Sequence, residues 1–283
     1  MHFTRLNKMK QSMLCTAMLV GMALCNGCAS VPPGAAALGY RKCAISETPT
    51  PADIGHGDNG DHKWFSGQWY ARRVSSDYRM EDGALALSLG GDLVSTPRDF
   101  SKGRLPTLPG ANGFYVEYDV QLSDNDPDHF PAVWLMPVEH NQPKGDHYAG
   151  DPEGVERWLE LDVMEKMAYK GPGLIGTAHS WTGKYPHYED RWNTNNISPV
   201  AIDFAKRHTF GASYDPKGQQ VTWWVDGIRR MSIGAPYVPE VAVQQHFYLI
   251  LSAQTHGKKV PYTMHVRGVR AFVPQESPLP AAD

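Results

Sequence analysis

Apolar and polar residues alternate with a period of two along much of the chain after Trp64. The alternation is clearest in residues 114–122, 221–225 and 247–254, where every second side chain is apolar. A strand that buries one face has this period, because successive side chains point to opposite faces of the sheet. No window after residue 64 carries the apolar stripe of a helix. The pattern therefore predicts an all-β domain.

Turn signals lie between the predicted strands. Asp82-Gly83 precedes the apolar residues 84–89, and Asp226-Gly227 follows the strand at 221–225. Asp-Gly pairs are typical of tight hairpin turns. Gly268 falls where the last strand changes phase, which predicts a β-bulge. About a dozen strands with polar loops then favour two packed antiparallel sheets, a jelly-roll β-sandwich with a concave face.

The first 28 residues have the pattern of a signal peptide for export. A basic start, with Arg5 and two lysines, precedes an apolar run at 12–24 that is too short to span a membrane. The run ends in Gly27-Cys28, which predicts a bacterial outer-membrane lipoprotein with Cys28 as its lipidated first residue. Ordinary secretion to the periplasm or the exterior, with cleavage near Ala29, is the alternative.

Composition divides the rest of the chain. Residues 29–63 are rich in Pro, Gly, Ala, Ser and Asp, which predicts a flexible tether. Residues 64–275 form the predicted sandwich, with long loops at 137–157 and 182–206. Residues 276–283 are left as a C-terminal tail.

Charge and cysteine content exclude several classes of protein. The formal net charge of -3 gives no basic surface for nucleic acid. All four cysteines precede residue 64, so neither a disulfide nor a cysteine-based zinc site can hold the sandwich together. Cys43 is either a lone thiol, if Cys28 carries a lipid, or the disulfide partner of Cys28.

The sequence predicts neither a metal nor another cofactor. It has no phosphate-binding loop and no H-E-x-x-H or G-x-S-x-G motif. The acidic stretch at 124–128 lacks the glycine and the closing glutamate of an EF-hand loop, so it predicts a polar turn. Four histidines lie in predicted loops without the spacing of metal ligands: His140, His147, His187 and His256.

Residues 158–166, with the sequence Trp-Leu-Glu-Leu-Asp-Val-Met-Glu-Lys, place acids inside an apolar run. In a strand, Glu160 and Asp162 share one face, while the apolar residues that alternate with them point into the core. Glu165 is out of phase with that face. A β-bulge around Val163–Met164 would return Glu165 to the side of the other two acids.

Three carboxylates on one wet face suit the hydrolysis of glycosidic bonds. A retaining enzyme needs two carboxyl groups about 5–5.5 Å apart, one to attack the anomeric carbon and one to protonate the leaving oxygen. Asp162, between the two glutamates, would raise the pKa of a neighbour and keep the acid protonated. A solvated acidic face without catalysis is the alternative, since the chain has 30 acidic residues among 283.

The same segment resembles the bulged motif E-[ILV]-D-x-x-E of glycoside hydrolase family 16, the laminarinase, lichenase, agarase and carrageenase group. Other segments resemble further strands of that family, in the same order along the chain: 113–120, 130–137, 176–179, 224–227 and 247–251. Together they cover roughly residues 64–273. The resemblance implies the jelly-roll fold and a retaining mechanism in an open cleft.

By this resemblance Glu160 is the nucleophile, Asp162 its electrostatic helper and Glu165 the acid/base. His179 would lie beside the nucleophile or a substrate hydroxyl. The chain departs from the family at 266–269, where Val-Arg-Gly-Val removes an Asp that lies near a structural calcium in many members. No calcium is therefore expected.

Aromatic residues supply candidate sugar contacts, because a flat indole can stack on a pyranose ring. The predicted phase puts Trp134, Trp158 and Trp181 on the cleft face or its rim; packing in the core is the alternative. Arg72 or the adjacent arginine would face the cleft by alternation, and a solvated surface charge is the alternative there.

We therefore predict an exported, monomeric, endo-acting glycoside hydrolase that cleaves a β-linked polysaccharide with retention at the anomeric carbon. A β-1,3-type glucan is favoured, because residues 176–179 resemble the laminarinase type, and a galactan is next. Two alternatives stay open: a transglycosylase that remodels envelope glycans, and a carbohydrate-binding sandwich without catalysis. Hydrolysis and transfer share one covalent intermediate, so product analysis with an added sugar acceptor distinguishes them.

Overall fold

The computed structural model describes residues 30–57, 61–67, 77–167, 171–193, 196–255 and 259–277. Within these ranges the strands are β1 Tyr40–Glu47, β2 Ile54–His56, β3 Trp64–Ser66, β4 Arg79–Glu81, β5 Ala84–Ser88, β6 Asp92–Val94, β7 Leu108–Pro109, β8 Phe114–Leu122, β9 Phe130–Pro137, β10 Glu156–Glu165, β11 Gly173–Lys184, β12 His187–Trp192, β13 Ile197–Ala201, β14 His208–Asp215, β15 Gln220–Val225, β16 Ile228–Ile233, β17 His246–Gln254 and β18 Thr263–Pro274. A short helix, α1, spans Pro33–Ala37. Short 3-10 helices span Pro51–Asp53, Phe100–Lys102, Gly110–Asn112, Val138–Asn141 and Glu240–Gln244.

The described strands form two mostly antiparallel sheets. The eight-stranded sheet has the order β16-β15-β14-β8-β18-β5-β4, with β1 paired to β18. The ten-stranded sheet has the order β12-β11-β10-β9-β17-β6-β3-β2, with β13 paired to β11 and β7 to β17. This arrangement confirms the predicted all-β jelly-roll sandwich.

The core lies between the two sheets, where alternate side chains from each sheet meet. Phe114 and Val116 of β8 are fully buried there, as is Phe247 of β17, in the phase that the sequence predicts. Trp223 of β15 is also fully buried, and its Nε1 donates to the carbonyl oxygen of Asp162 at 2.8 Å. That hydrogen bond joins the eight-stranded sheet to β10, the strand of the predicted acids.

Both Asp-Gly pairs form the predicted tight turns. Asp82-Gly83 has φ angles of 47° and 74°, and Asp226-Gly227 has φ angles of 51° and 73°. Two consecutive positive φ angles are those of a type I′ turn, whose twist matches that of the flanking strands. The predicted bulge in β18 is confirmed as well, because its register against β8 shifts between Val266 and Gly268.

The flexible tether predicted at 29–63 is wrong for the part that the structure describes. β1 pairs with β18, and Ala35, Tyr40 and Ile45 are no more than 5% exposed. This segment covers the outer face of the eight-stranded sheet, so Tyr115, which alternates with the core residues Phe114 and Val116, is fully buried as well. The sequence missed the strand because a composition averaged over the segment cannot reveal eight extended residues.

The long loop predicted at 182–206 is also wrong. β11 extends to Lys184, β12 follows at His187–Trp192, and β13 lies at Ile197–Ala201. Polar side chains occupy both faces of β12, so the apolar periodicity that marks other strands is missing there. By contrast, residues 142–155 are free of regular structure, as predicted for the 137–157 loop.

The signal peptide, Cys28, Arg72 and His256 lie outside the described residues, and the statements about them stay predictions. Cys43 is disulfide-bonded, so the lone-thiol alternative is wrong. The other three cysteines lie outside the described residues, and the pairing with Cys28 stays a prediction. In the described part of the chain, no helix is long and apolar enough to cross a membrane.

Candidate active site

The predicted acids lie on β10, between β9 and β11 of the ten-stranded sheet. Asp162 is opposite Trp134 of β9 and Thr177 of β11, and Glu160 is opposite His179. The leucines that alternate with these acids are fully buried in the core. Because side chains alternate along a strand, the acids share the outer face of the sheet with side chains from both neighbouring strands.

A β-bulge brings Glu165 to the same face. Between Asp162 and Met164 the register of β10 against β9 shifts by one residue. Val163 and Met164 therefore both fall on the core side, where each is fully buried. Glu165 returns to the outer side, and its Oε2 accepts a hydrogen bond from Thr177 Oγ1 at 3.3 Å. The predicted bulge is thus confirmed at the predicted position.

Opposing effects act on the half-buried carboxyl of Glu160. Burial, and then the charge of Asp162, raise the pKa of Glu160 to about 8. Trp181 Nε1 donates to Glu160 Oε2 at 2.9 Å, and this hydrogen bond favours the ionised form. The carboxyl is therefore easier to protonate than an ordinary glutamate, yet it keeps a donor that stabilises its anion.

Glu165 lies in a drier place. It is 8% exposed, and the Thr177 hydroxyl that it meets is at the long end of hydrogen-bond distances. Burial, and then the charge of Asp162, raise the pKa of Glu165 well above its usual value. With less water and a weaker donor than Glu160, Glu165 is the carboxyl that holds its proton when the other ionises.

His179 joins two carboxylates next to the glutamates. Its Nε2 lies 3.1 Å from Asp162 Oδ2, and its Nδ1 lies 2.7 Å from Asp190 Oδ2 of β12. Burial alone would lower the pKa of His179, but the hydrogen bonds to Asp162 and Asp190 outweigh it and raise the pKa to about 11. At neutral pH the imidazolium donates through both nitrogens, so it places one positive charge among the carboxylates.

An aromatic wall extends the site along β10 to β12; we use this name for Trp158, Trp181, Tyr188 and His140. The ring of Trp158 is stacked between Trp181, at a centroid distance of 5.7 Å, and His140, at 3.7 Å. Tyr188 meets Trp158 edge-on at 4.9 Å. Because Trp181 also holds Glu160, the wall begins at the carboxylates themselves.

Trp134 lies on the other side of the acids, as predicted. Its side chain belongs to the apolar cluster on the outer face of the ten-stranded sheet, and its Nε1 donates to Ser252 Oγ at 3.1 Å. A cavity of about 570 Å³ lies mainly on the other face of β11 and β12, since most of the residues of these strands that line it alternate with Trp181 and Asp190: Ser180, Thr182, Glu189 and Arg191. On the cleft face, the aromatic wall bounds the acids on the side opposite to Trp134. The acids therefore lie between two tryptophan-bearing surfaces.

Several polar residues of the site were missed from the sequence. Asn196 Nδ2 donates to Thr177 Oγ1 at 2.9 Å, which orients the hydroxyl that meets Glu165. Asn193 Oδ1 accepts from the Ala178 amide at 2.8 Å and so ties the chain after β12 to β11. Asp190 is two residues from both Tyr188 and Trp192, so the three side chains share one face of β12, and this spacing was the one signal that could have placed Asp190 on the cleft face.

The acidic stretch at 124–128 forms a polar turn, as predicted. The Asp126 amide donates to Asp124 Oδ1 at 2.8 Å, and the Asp128 amide donates to Asp126 Oδ1 at 2.9 Å. The ammonium of Lys166, directly after the acidic strand, donates to the Asp126 carbonyl. Burial lowers the pKa of Lys166, against the attraction of the three aspartates.

Comparison with known proteins rests on solved structures, because no protein-family model and no curated protein match the sequence. The β-porphyranase BpGH16B from the human gut bacterium Bacteroides plebeius superposes with a TM-score of 0.51 at 18% identity, over 70% of this chain and 78% of that chain. The chain has the fold of this porphyranase. The likeness confirms the jelly-roll sandwich that the sequence predicts.

Two further structures are similar to this chain at lower TM-scores than the porphyranase. The κ-carrageenase from Pseudoalteromonas carrageenovora has a TM-score of 0.46 at 17% identity, over 70% of this chain and 82% of that chain. The catalytic domain of the laminarinase from Thermotoga petrophila has a TM-score of 0.41 at 16% identity, over 70% of this chain and 81% of that chain.

Proposed function

We propose that this protein is a retaining, endo-acting glycoside hydrolase of family 16 that cleaves a β-linked polysaccharide. The observation that carries the proposal is the bulged strand β10, on which Glu160, Asp162 and Glu165 face the same side. A sandwich strand that only met solvent would gain nothing from three acids, two of them at most 8% exposed. Burying carboxyl groups costs free energy of folding, and such clusters are typical of sites where a reaction uses them.

The two glutamates have the environments that the two roles require. Glu160, with the Trp181 donor on its carboxylate, attacks the anomeric carbon. Glu165, the drier acid, gives its proton to the glycosidic oxygen as the bond from that oxygen to the anomeric carbon breaks. Water then gives a proton back to Glu165 and attacks the anomeric carbon, which frees Glu160. Two inversions leave the configuration retained.

Asp162 and His179 set the charge around the reaction. The imidazolium of His179 lowers the pKa of both glutamates, whereas Asp162 raises both. Because His179 is held by Asp162 and Asp190, its charge stays near Glu160 while that residue loses its own charge to the glycosyl bond. Asp162 and His179 together therefore keep one of the two glutamates ionised and the other protonated.

The aromatic wall supports a polysaccharide as the substrate. Trp181 is partly exposed next to Glu160, and such a ring can contact the apolar face of a sugar. Trp158 is only 4% exposed between Trp181 and His140, so it packs behind Trp181 and does not make the sugar contact that the sequence predicts. We favour a β-1,3-type glucan, on the laminarinase-like sequence at 176–179, and place a galactan second. The similar structures include a laminarinase, a κ-carrageenase and a β-porphyranase, so both classes belong in the test.

A panel of polysaccharides tests the proposal. The purified protein is incubated with laminarin, lichenan, agarose, κ-carrageenan and porphyran, and reducing ends are measured. We expect activity on laminarin first, and a fall of about 10²–10⁴-fold in kcat for Glu165→Gln. Glu153→Gln, at an exposed position in the 137–157 loop, is the matched control and should keep full activity. Full turnover by Glu160→Gln would refute the assignment.

Rescue by azide assigns the two roles separately. With an activated β-glycoside, Glu165→Ala should give a β-glycosyl azide, because azide attacks the glycosyl intermediate on Glu160. Glu160→Ala should give an α-glycosyl azide by direct displacement. The reverse stereochemistry would exchange the roles. Longer products in the presence of added oligosaccharide would identify a transglycosylase, and saturable binding without any product would identify a binding module.

A further inference from the structure

A second group of ligand-type side chains lies at the far end of the aromatic wall. One donor atom each of His140, Asp146 and Glu156 lies within 4.8 Å of the other two. His140 Nδ1 is 2.8 Å from Asp146 Oδ2. His147 is next to them, with its Nε2 at 3.6 Å from Glu156 Oε1. Two imidazoles and two carboxylates therefore meet where the 137–157 loop joins β10.

The fold holds these donors in place. The Arg157 amide donates to the Asp146 carbonyl at 3.1 Å, which ties the loop to the start of β10. Gly145 permits this path, because a Cβ there would lie 2.3 Å from the Glu139 carbonyl oxygen. The Asp146 side chain is only 2% exposed, and Tyr188 donates to Glu156 Oε2. A buried carboxylate calls for a positively charged partner, which a bound metal ion would supply.

The mixture of donors selects the kind of ion. Imidazole nitrogens with carboxylate oxygens suit zinc and its neighbours, whereas calcium and magnesium take oxygen ligands alone. Zinc lies about 2.0–2.2 Å from such atoms, so neighbouring donors in a tetrahedral site are about 3.3–3.6 Å apart. The separations of 2.8 Å and 3.6 Å given above bracket that value. Small side-chain rotations would close the site.

We propose that His140, Asp146 and Glu156, with His147 as the fourth ligand, bind one zinc ion or a similar divalent transition-metal ion. The ion anchors the 137–157 loop to β10. It also fixes the aromatic wall, because the His140 ring stacks on Trp158 and Tyr188, which contacts that indole edge-on, orients Glu156. The site is separate from the carboxylates that carry the proposed reaction.

The other cluster of possible ligands does not compete for the ion. Glu160, Asp162 and His179 also bring donor atoms within 4.8 Å of one another. Both ring nitrogens of His179, however, already face carboxylate oxygens, at 3.1 Å and 2.7 Å. That ring donates hydrogen bonds and offers no free lone pair to a metal. His140, by contrast, has only Nδ1 on a carboxylate, so in the tautomer that carries its proton on Nε2 the Nδ1 lone pair can bind an ion.

Binding of zinc to the full-length protein, purified without a histidine tag and stripped with a chelator, tests the proposal. Calorimetry and elemental analysis should give one zinc per chain with a Kd of micromolar or below. The unfolding temperature should rise, and tryptophan fluorescence should change because Trp158 contacts a ligand. Asp146→Asn and His140→Gln should each weaken binding at least tenfold.

Two variants serve as controls. His208 Nδ1 lies 2.7 Å from Asp226 Oδ2, the same kind of pair without a third donor close by in the described residues, so His208→Gln should bind zinc as the unchanged protein does. His179→Gln should also bind normally. If Asp146→Asn fails to fold, His147→Gln takes its place, because that side chain is 28% exposed. In the protein without substitutions, X-ray absorption should show two imidazoles at about 2.0–2.1 Å from zinc.

Absence of saturable binding up to 100-fold molar excess of zinc would overturn the proposal. So would one bound zinc that survives both Asp146→Asn and His140→Gln, or one that His179→Gln removes. None of these readouts uses a polysaccharide, so the result is independent of the proposed hydrolase activity.

Discussion

The Glu165 carboxyl contacts the Thr177 hydroxyl and lies near the carboxyl groups of Asp162 and Glu160, and little water reaches it. Burial and the charges of Asp162 and Glu160 all favour its neutral form. The sequence could predict which face this residue takes, because the bulge follows from the strand period. It could not predict the Thr177–Asn196 pair that orients the hydroxyl, or the Asp190 contact to His179, since these partners come from other strands and loops.

The raised pKa of Glu165 makes its burial a pH-dependent cost to stability. The folded chain holds this proton more tightly than the unfolded chain, whose glutamates titrate near a pKa of about 4.3. The stability that the bound proton of Glu165 contributes is therefore fully present below about pH 4, and it is lost as the pH rises towards the pKa of Glu165 in the folded chain. Glu165→Gln cannot ionise, so it should unfold at the same temperature as the unchanged protein at pH 4 and at a higher temperature at pH 8.

Thermal unfolding followed by circular dichroism between pH 4 and 8 measures this effect. We expect a gain of several degrees at pH 8, since about 1 kcal/mol corresponds to about 2–4 °C in a domain of this size. Glu153→Gln, which is exposed, should show no gain at any pH. A gain for Glu165→Gln that is as large at pH 4 as at pH 8 would mean that packing, and not ionisation, is responsible.

At the scale of elements, β10 shows how one extra residue determines the site. Strict alternation would send Glu165 into the core, and the bulge at Val163–Met164 prevents it. This feature could be predicted because the acids interrupt an apolar run. The hairpin of β11 and β12 could not be predicted, because β12 has polar side chains on both faces and its pairing depends on β11. Alternation reveals a strand only where one face is buried.

Deleting Met164 removes the bulge, and β10 ends at Glu165, so the change is confined to the end of the strand. Glu165 should then point into the core, where an unpaired carboxylate costs several kcal/mol. We expect loss of turnover on the best substrate from the panel and a lower unfolding temperature. Met164→Leu keeps the volume and the register, and should cost less than about 1.5 kcal/mol with activity retained. Normal turnover in the deletion variant would show that the bulge does not position Glu165.

At the scale of the whole molecule, the sandwich was predictable and its N-terminal cover was not. The two sheets could be predicted from the alternation of apolar and polar residues and from the Asp-Gly turns, because both are local signals. The cover by α1 and β1 depends on a partner far along the chain, β18, and on a sheet whose outer face is apolar at Tyr115 and Phe272. Nothing local in residues 30–47 reveals that contact, so composition alone suggested a tether.

The cover should therefore be part of the folded domain. Removing residues 30–47 exposes Tyr115 and Phe272, both fully buried, and deletes the pairing of β1 with β18. Each such side chain contributes about 1.5–3 kcal/mol on burial, so the sum is a large part of a total stability of about 5–15 kcal/mol. We expect a chain that starts at residue 48 to be insoluble or to unfold at least about 10 °C below one that starts at residue 30.

Both chains are compared in reducing buffer, because Cys43 is the only cysteine of the longer chain and could otherwise join two molecules through a disulfide. Gly34→Leu tests the same contact in the longer chain. A Cβ at this position would lie 2.4 Å from Tyr115 Cε2 and 2.9 Å from Trp224 Cδ2, so the cover cannot dock without displacing a ring. It should lower the unfolding temperature by less than the deletion does, because β1 can still pair. Equal unfolding temperatures for all three chains would contradict this prediction. They would mean that residues 30–47 act as a flexible tether to a domain that begins near Trp64.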